Sequence, residues 1–438
     1  MNRLAQHAAL ALVFGLFIAV RCYHLERAPA HNETTDEYAW TWSGMSFLQT
    51  GTPRAWSNLK AYLPRRQPQH WRDHDYNMVE PWLDHPPLYS LYAGGWVLAQ
   101  GARDIFNVEL RQMRTGSLPL AALSFIGLFA FLRRHLSPAA VLLSLLFYAV
   151  LPSAVLQQRL VISENLYLPL MFGVLLLLEA QAARFASYRV PLIVLASALL
   201  PLTKIAALSC SVFLVLWALA SDARSARWLN AAAVALGTCA GILGYLWWGR
   251  HFDAELFETI LHNHHDRFRG FTGMYVLLFE PQLINKNAKD VLAVLGCVLA
   301  LAGLSRPRAS PWGLAVLSYA ACMAFFVDEH RVFGWYFLPL YPWLCAGLGW
   351  GIVQASRRRQ VGLSLLWCCV ALATIGQVVN SKGLLNTELA RAAYLLGVLL
   401  LAGGWYAWPR WARASIPAIN GALVLGTALA CLYEVSLR

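Results

Sequence analysis

The sequence predicts an all-α integral membrane protein, and three observations carry that prediction. Of its 438 residues, 58% are hydrophobic and 13% are charged, whereas a soluble globular chain has about 25% charged residues. Uncharged runs at 137–157, 229–249 and 311–327 reach or approach the roughly 17–25 residues that a spanning helix needs. Arginines gather at alternate connections: Arg133/Arg134, Arg184/Arg189, Arg224/Arg227, Arg306/Arg308, Arg357–Arg359 and Arg410/Arg413. Cytoplasmic loops carry such an excess, so the net charge of +12 reads as membrane topology and argues against a nucleic-acid partner.

With that rule, spans are predicted near 8–24, 115–132, 137–153, 165–181, 190–203, 205–220, 229–249, 290–304, 311–327, 332–354, 361–379, 392–408 and 415–433. Thirteen spans put the N-terminus in the cytoplasm and the C-terminus outside. The first run lacks a small-residue cleavage site and ends at Arg21 and Cys22, so it reads as a retained helix and not as a cleaved signal peptide. The nine cysteines lie in or beside the predicted spans, which implies no disulfide framework. No internal repeat stands out. The expected organisation is one membrane domain over 1–438 with no soluble C-terminal domain.

Two outer loops break the pattern of short connections. Residues 26–87 hold 14 of the 58 charged side chains (35 Lys and Arg, 23 Asp and Glu) and are rich in Trp and Tyr. With the segment up to 114 they form the first outer loop. The second spans about 250–289 and contains LHNHHDRFRGF. Long loops carry function more often than fold, so the chemistry is expected outside.

Within the first loop, TTDEYAWTWSGMSFLQTGTP predicts a helix. Thr34 and Glu37 have capping-box spacing, and Gly51 with Pro53 marks a stop. Its Tyr38, Trp40, Trp42, Phe47 and Leu48 suit a helix lying in the membrane interface. Asp36 and Glu37 fit two descriptions: acids at the positive end of a helix dipole, or catalytic carboxylates. DHPPLY follows at 84–89. Pro86 pushes His85 toward extended geometry and Pro87 suits the first helical turn. Asp84 and His85 are thus held beside a helix N-terminus, which attracts phosphate. The alternative is a proline-stopped loop with a solvated Asp–His pair.

Lys204 is the one charge between Val190 and Ala220. That stretch predicts two short helices turning at the outer side, with Lys204 at the turn. A lysine there faces a polar cavity or snorkels to headgroups. QQRLVISEN adds Arg159 and Glu164, and VDEHRVFGWYFLPLYP adds His330 and Arg331. Lys, Arg and His at one face fit a lipid phosphate. His262, His264, His265 and Asp266 lack a clean metal-ligand spacing. A mobile, solvated loop with a substrate role for His265 is the preferred reading, and a divalent metal stays open.

The order DE at a helix start, then DHPPLYSLY, then RQMRTGSLPLAALSFIGLFAFLRR resembles the polyprenyl-phosphate-sugar-dependent glycosyltransferases of the GT-C fold. Among these it is similar to protein O-mannosyltransferases, the aminoarabinose transferase of lipid A and rhizobial lipopolysaccharide glycosyltransferases. The similarity is strongest over about 30–210 and weaker through WYFLPLYP. It implies Asp36 as catalytic base with Glu37 as its acidic neighbour, and His85 at a position where some relatives carry lysine. It further implies Lys204, His330 and Arg331 as cations around the donor phosphate, and Arg159, by its outer corner, is expected with them. Asp84, Glu164 and His265 are further candidates.

The expected reaction is inverting transfer of a sugar from a polyprenyl phosphate to a lipid, glycan or protein acceptor, with no required cofactor. The chain carries no GxGxxG or P-loop signature. Its bias to Arg, Ala and Leu over Lys points to a GC-rich bacterium, hence undecaprenyl phosphate and the inner membrane. Two rivals are a lipid or solute transporter, which should show two related halves with interrupted helices, and an O-antigen ligase or polymerase.

Overall fold

The computed structural model describes residues 3–30, 34–72, 74–180, 186–220, 226–265, 291–305, 310–326, 334–381 and 386–436. Within them the chain is overwhelmingly helical. α1 is Arg3–Cys22, and the first outer loop contributes α2 (Asp36–Thr50) and α3 (Pro87–Ala99). Then come α4 (Leu110–Thr115), α5 (Ser117–His135), α6 (Pro138–Val150), α7 (Pro152–Arg159), α8 (Glu164–Leu178), α9 (Ala186–Thr203), α10 (Leu208–Ala220) and α11 (Arg227–His265). Six more follow: α12 (Val291–Ala302), α13 (Pro311–Phe326), α14 (Tyr341–Arg358), α15 (Val361–Ser381), α16 (Thr387–Ala407) and α17 (Pro409–Ser436).

Helix length and composition do not single out thirteen spans. Among the described residues, six helices are long and apolar enough to cross a membrane, or seven if one bent pair counts as a span. Five other apolar helices have 10–17 residues. The expected span at 137–153 is broken: α6 and α7 meet at 59°. Pro152 opens α7 and has no N–H to offer the Tyr148 carbonyl four residues back. Arg21 takes over that bond. It is fully buried and donates from Nη2 to Tyr148 O (3.0 Å), from Nη1 to Ala149 O (3.1 Å) and from Nε to Gln158 Oε1 (2.8 Å). The expected helix at 332–354 starts later, at Tyr341, after a 3-10 turn over Gly334–Phe337.

The first outer loop is more folded than the sequence suggests. Strands β1 (Ala55–Trp56), β2 (Gln67–Trp71) and β3 (His74–Val79) form an antiparallel sheet in the order β1-β3-β2. α2 is enclosed by protein along most of its length. Residues Glu37–Ser46 are buried, and Tyr38, Trp40, Trp42 and Met45 join Tyr62, Tyr76, Leu83 and Tyr89 in a core separate from that of the membrane helices. α2 and α3 touch backbone to backbone, because a Cβ on Gly44 would overlap Ser90 and one on Gly94 would overlap Gly44 and Met45. Its C-terminus ends as expected, with Gly51 at φ 78° and its N–H on Phe47 O.

The second outer loop is also partly helical. α11 kinks at Asp253 (φ −165°) and continues to His265, so 250–265 is not loop; the rest of the expected loop lies outside the described residues. The Asp253 carboxylate accepts the Leu256 N–H (2.9 Å) and pairs with Arg65 (2.6 Å). Leu256, Phe257 and Ile260 then pack into the outer core. α9 and α11 approach closely in the membrane region, since Cβ atoms on Gly237 and Gly241 would overlap the Val194 and Ala198 carbonyls. Small residues four apart permit such contact between apolar helices.

Candidate active site

Asp36 is the first residue of α2 and is partly exposed. The expected capping box does not close: Thr35 is the N-cap residue and makes no side-chain cap bond. The Thr34 hydroxyl instead donates to Glu37 Oε1 (2.7 Å). Glu37 is enclosed by further donors. Arg114 gives Nε to Oε2 (3.0 Å) and Nη2 to Oε1 (2.7 Å), and the Val161 N–H reaches Oε2 (3.0 Å). Arg114 also donates Nη1 to Leu25 O (2.9 Å). Both side chains of the pair are 0% exposed. A buried carboxylate is tolerable only when its lone pairs are met in this way. Glu37, expected as the acidic neighbour of the catalytic base, is thus enclosed, and it ties the start of α2 to α4 and to the α7–α8 connection. Arg114 lies in the RQMRTGSLPL motif of the resemblance, just ahead of the uncharged run of α5, but neither feature marks it as the partner of Glu37.

The proline corner forms as its sequence requires. Pro86 has φ −57° and ψ 149°, and Pro87 is the first residue of α3. Asp84 faces the outer sheet, where Ser57 Oγ donates to its Oδ2 (2.6 Å) and the Tyr62 phenol bonds it as well. Burial and the neighbouring Asp84 carboxylate push that phenol well above its ordinary range, so it stays a donor. Asp84, a further candidate for chemistry, thus clamps the corner to the outer sheet. His85, partly exposed, lies parallel to the Trp40 indole at 4.6 Å between ring centres, with Trp82 edge-on at 5.7 Å. His264, at the end of α11, donates Nε2–H to the Asp84 carbonyl (3.0 Å), with its ring 5.9 Å from that of His85. His264, not the exposed His265, bonds this corner.

Lys204 sits at the turn expected of it. α9 ends at Thr203, Lys204 is extended (φ −166°), and a 3-10 turn over Ile205–Ala207 leads into α10. Its side chain points inward: Nζ is 2.7 Å from Glu164 Oε1 and 4.8 Å from the centre of the Tyr336 ring. Ser163 Oγ donates to the other Glu164 oxygen (3.1 Å). The Asp36 carboxylate is near enough to act electrostatically on the Lys204 ammonium. At 8% exposure, Lys204 is not a snorkelling lysine. Glu164 serves as its counter-ion.

Arg159 is elsewhere. It is fully buried and donates Nη2 to Val20 O (2.7 Å) and Nη1 to Ala28 O (3.1 Å). Expected among the donor-phosphate cations, it satisfies one carbonyl in the last turn of α1, where helical C=O groups lack partners, and one in the turns that follow that helix. His330 and Arg331 lie outside the described residues. No group of three or more His, Cys, Asp or Glu suited to a metal occurs among the described residues.

No family model matches the chain, and no curated protein matches it in sequence. Solved structures match it throughout. It is similar to ArnT from Cupriavidus metallidurans in the apo state, with a TM-score of 0.55 at 16% identity, covering 98% of this chain and 76% of that one. It is also similar to the same protein bound to undecaprenyl phosphate, with a TM-score of 0.52 at 16% identity, covering 98% of this chain and 77% of that one. At such identity the likeness is one of fold, and the fold is GT-C, an all-α membrane architecture.

Proposed function

We propose that this chain is an inverting glycosyltransferase, moving a sugar from a polyprenyl phosphate to a hydroxyl acceptor on a lipid, glycan or protein. The observation that carries the proposal is Lys204, a buried cation turned inward between two apolar helices against Glu164. Asp36, a partly exposed carboxylate at the start of α2, lies within electrostatic reach of it. The GT-C fold and the undecaprenyl phosphate bound by ArnT support the donor class.

Each group then has a task. Asp36 accepts the acceptor's hydroxyl proton as that oxygen attacks the anomeric carbon. The bond from that carbon to the phosphate oxygen breaks on the opposite face, so configuration inverts. The polyprenyl phosphate leaves as a stable anion and needs no general acid, only cations to meet the growing charge. Lys204 and His85 supply those contacts. Glu164 neutralises Lys204 until a phosphate takes its place.

The arginine-rich connections put the catalytic face outside and the N-terminus in the cytoplasm, here of a bacterial inner membrane. The test uses purified protein and a panel of undecaprenyl-phosphate sugars, with release of undecaprenyl phosphate as readout. Asp36-dependent release in the presence of an acceptor extract is expected. Uptake of lipid or solute by reconstituted vesicles with no sugar transferred would make the protein a transporter.

A further inference from the structure

We infer that Tyr319 is a positioning residue for Lys204 and acts through Tyr336. The inference rests on the reading of Lys204 as a donor-phosphate contact. Tyr336 belongs to the 3-10 turn over Gly334–Phe337, and its ring centre is 4.8 Å from Lys204 Nζ. At that range the face of a ring attracts an ammonium. A turn of this kind closes by bonds from each N–H to the carbonyl three residues back. Leu338 N–H meets Trp335 O (3.1 Å), and Leu340 N–H meets Phe337 O (2.9 Å). The bond between these two, to the Tyr336 carbonyl, falls to Pro339, which has no N–H. Tyr319 supplies it from α13: its hydroxyl donates to Tyr336 O.

Tyr319 lies in the middle of α13 and is 3% exposed, so no water competes for that carbonyl. Tyr167 stands beside the Tyr319 hydroxyl on α8, one turn after Glu164. The contacts form a circuit. Glu164 holds Lys204 (2.7 Å), Lys204 faces Tyr336, Tyr336 is tied to Tyr319, and Tyr319 adjoins the helix that carries Glu164. Tyr319 and Pro339 also line a small cavity with Phe213 and Trp343. Packing on that side is therefore incomplete, and the hydroxyl bond is what ties the turn to α13. The two partners of Lys204 differ when a phosphate arrives. Glu164 carries a charge that the phosphate displaces, whereas the Tyr336 ring carries none and keeps the ammonium in place through the exchange.

The experiment measures affinity for undecaprenyl phosphate, together with thermal unfolding, in full-length protein in nanodiscs. Tyr319→Phe removes one hydroxyl and should weaken binding about fivefold, the scale of one cation–π contact. In a Tyr336→Leu background no ring faces the ammonium. There the same substitution should change affinity less than about twofold while still lowering the unfolding temperature. Pro339→Ala returns an N–H to the turn, so adding it to Tyr319→Phe should bring affinity back to within about twofold of wild type. That pair is also the one to read if Tyr319→Phe alone melts too early. Wild-type affinity in Tyr319→Phe, an equal loss in both backgrounds, or no recovery with Pro339→Ala overturns the inference and leaves the Lys204 assignment standing. Wild-type affinity in Lys204→Ala overturns the assignment itself, and the inference falls with it.

Discussion

Replacing Arg114 by methionine should be among the most damaging single changes in this protein. The Glu37 carboxylate is 0% exposed and takes two of its four donors from Arg114. The substitution leaves that charge buried with only the Thr34 hydroxyl and the Val161 N–H. Breaking a buried ion pair from one side costs about 3–5 kcal/mol. The Leu25 carbonyl, which Arg114 also satisfies, adds about 1–3 kcal/mol if it stays unmet. Removing the charge together with its partner avoids the first penalty, so Arg114→Met with Glu37→Leu should be more stable than Arg114→Met alone. Denaturant titration in detergent, followed by tryptophan fluorescence, gives both numbers. The reasoning is refuted if Arg114→Met unfolds within about 0.5 kcal/mol of wild type, the range of ordinary surface changes. It is equally refuted if the double variant is the less stable one.

Three other expectations follow from the geometry. Asp36→Asn keeps the shape of the α2 start but not its base, so turnover should fall at least about 100-fold while undecaprenyl phosphate still binds; residual activity above a few per cent of wild type places the base elsewhere. Lys204→Ala should weaken phosphate binding and also strand Glu164, so adding Glu164→Gln should restore stability but not affinity. Thermal unfolding paired with a binding titration separates the two effects, and recovery of affinity in the double variant would sink the assignment of Lys204. Gly94→Ala puts a methyl into the backbone of Gly44 and Met45 and should destabilise by about 1–3 kcal/mol, whereas Gly95→Ala, whose Cβ would meet only Leu48 at 3.7 Å, should not; equal stability of the two would mean that α2 and α3 are not in backbone contact.

What the sequence made legible depended on how local the physics was. Apolar runs set the helical membrane class because the bilayer imposes length and composition directly. Gly51 and the two prolines at 86 and 87 marked the end of α2 and the start of α3, since each acts on its own backbone. Lys204 was readable because one charge in so long an uncharged stretch forces a turn. The rest is held by partners far apart in the chain. Glu37 and Asp36 look alike until Arg114, 77 residues on, claims one of them. Arg159 and Lys204 are both lone cations near apolar helices, and only their partners, the carbonyls of Val20 and Ala28 for one and the Glu164 carboxylate for the other, tell them apart. The sheet over Ala55–Val79 escaped notice because β2 is exposed almost throughout and so shows no apolar alternation. Pro152 was visible, but a span reads as continuous until its bend is seen.

The reciprocal arginines have a consequence for engineering. Hydrocarbon offers no hydrogen bonds, so a carbonyl left open there costs several kcal/mol. The bend between α6 and α7 opens such a carbonyl at Tyr148, and the guanidinium that closes it arrives from α1; the end of α1 is closed from α7 in exchange. The first helix is thus a structural component of a distant joint and not an interchangeable membrane anchor. Swapping it for an unrelated apolar span, a routine device for raising expression, would deliver the chain to the bilayer with its hinge undone.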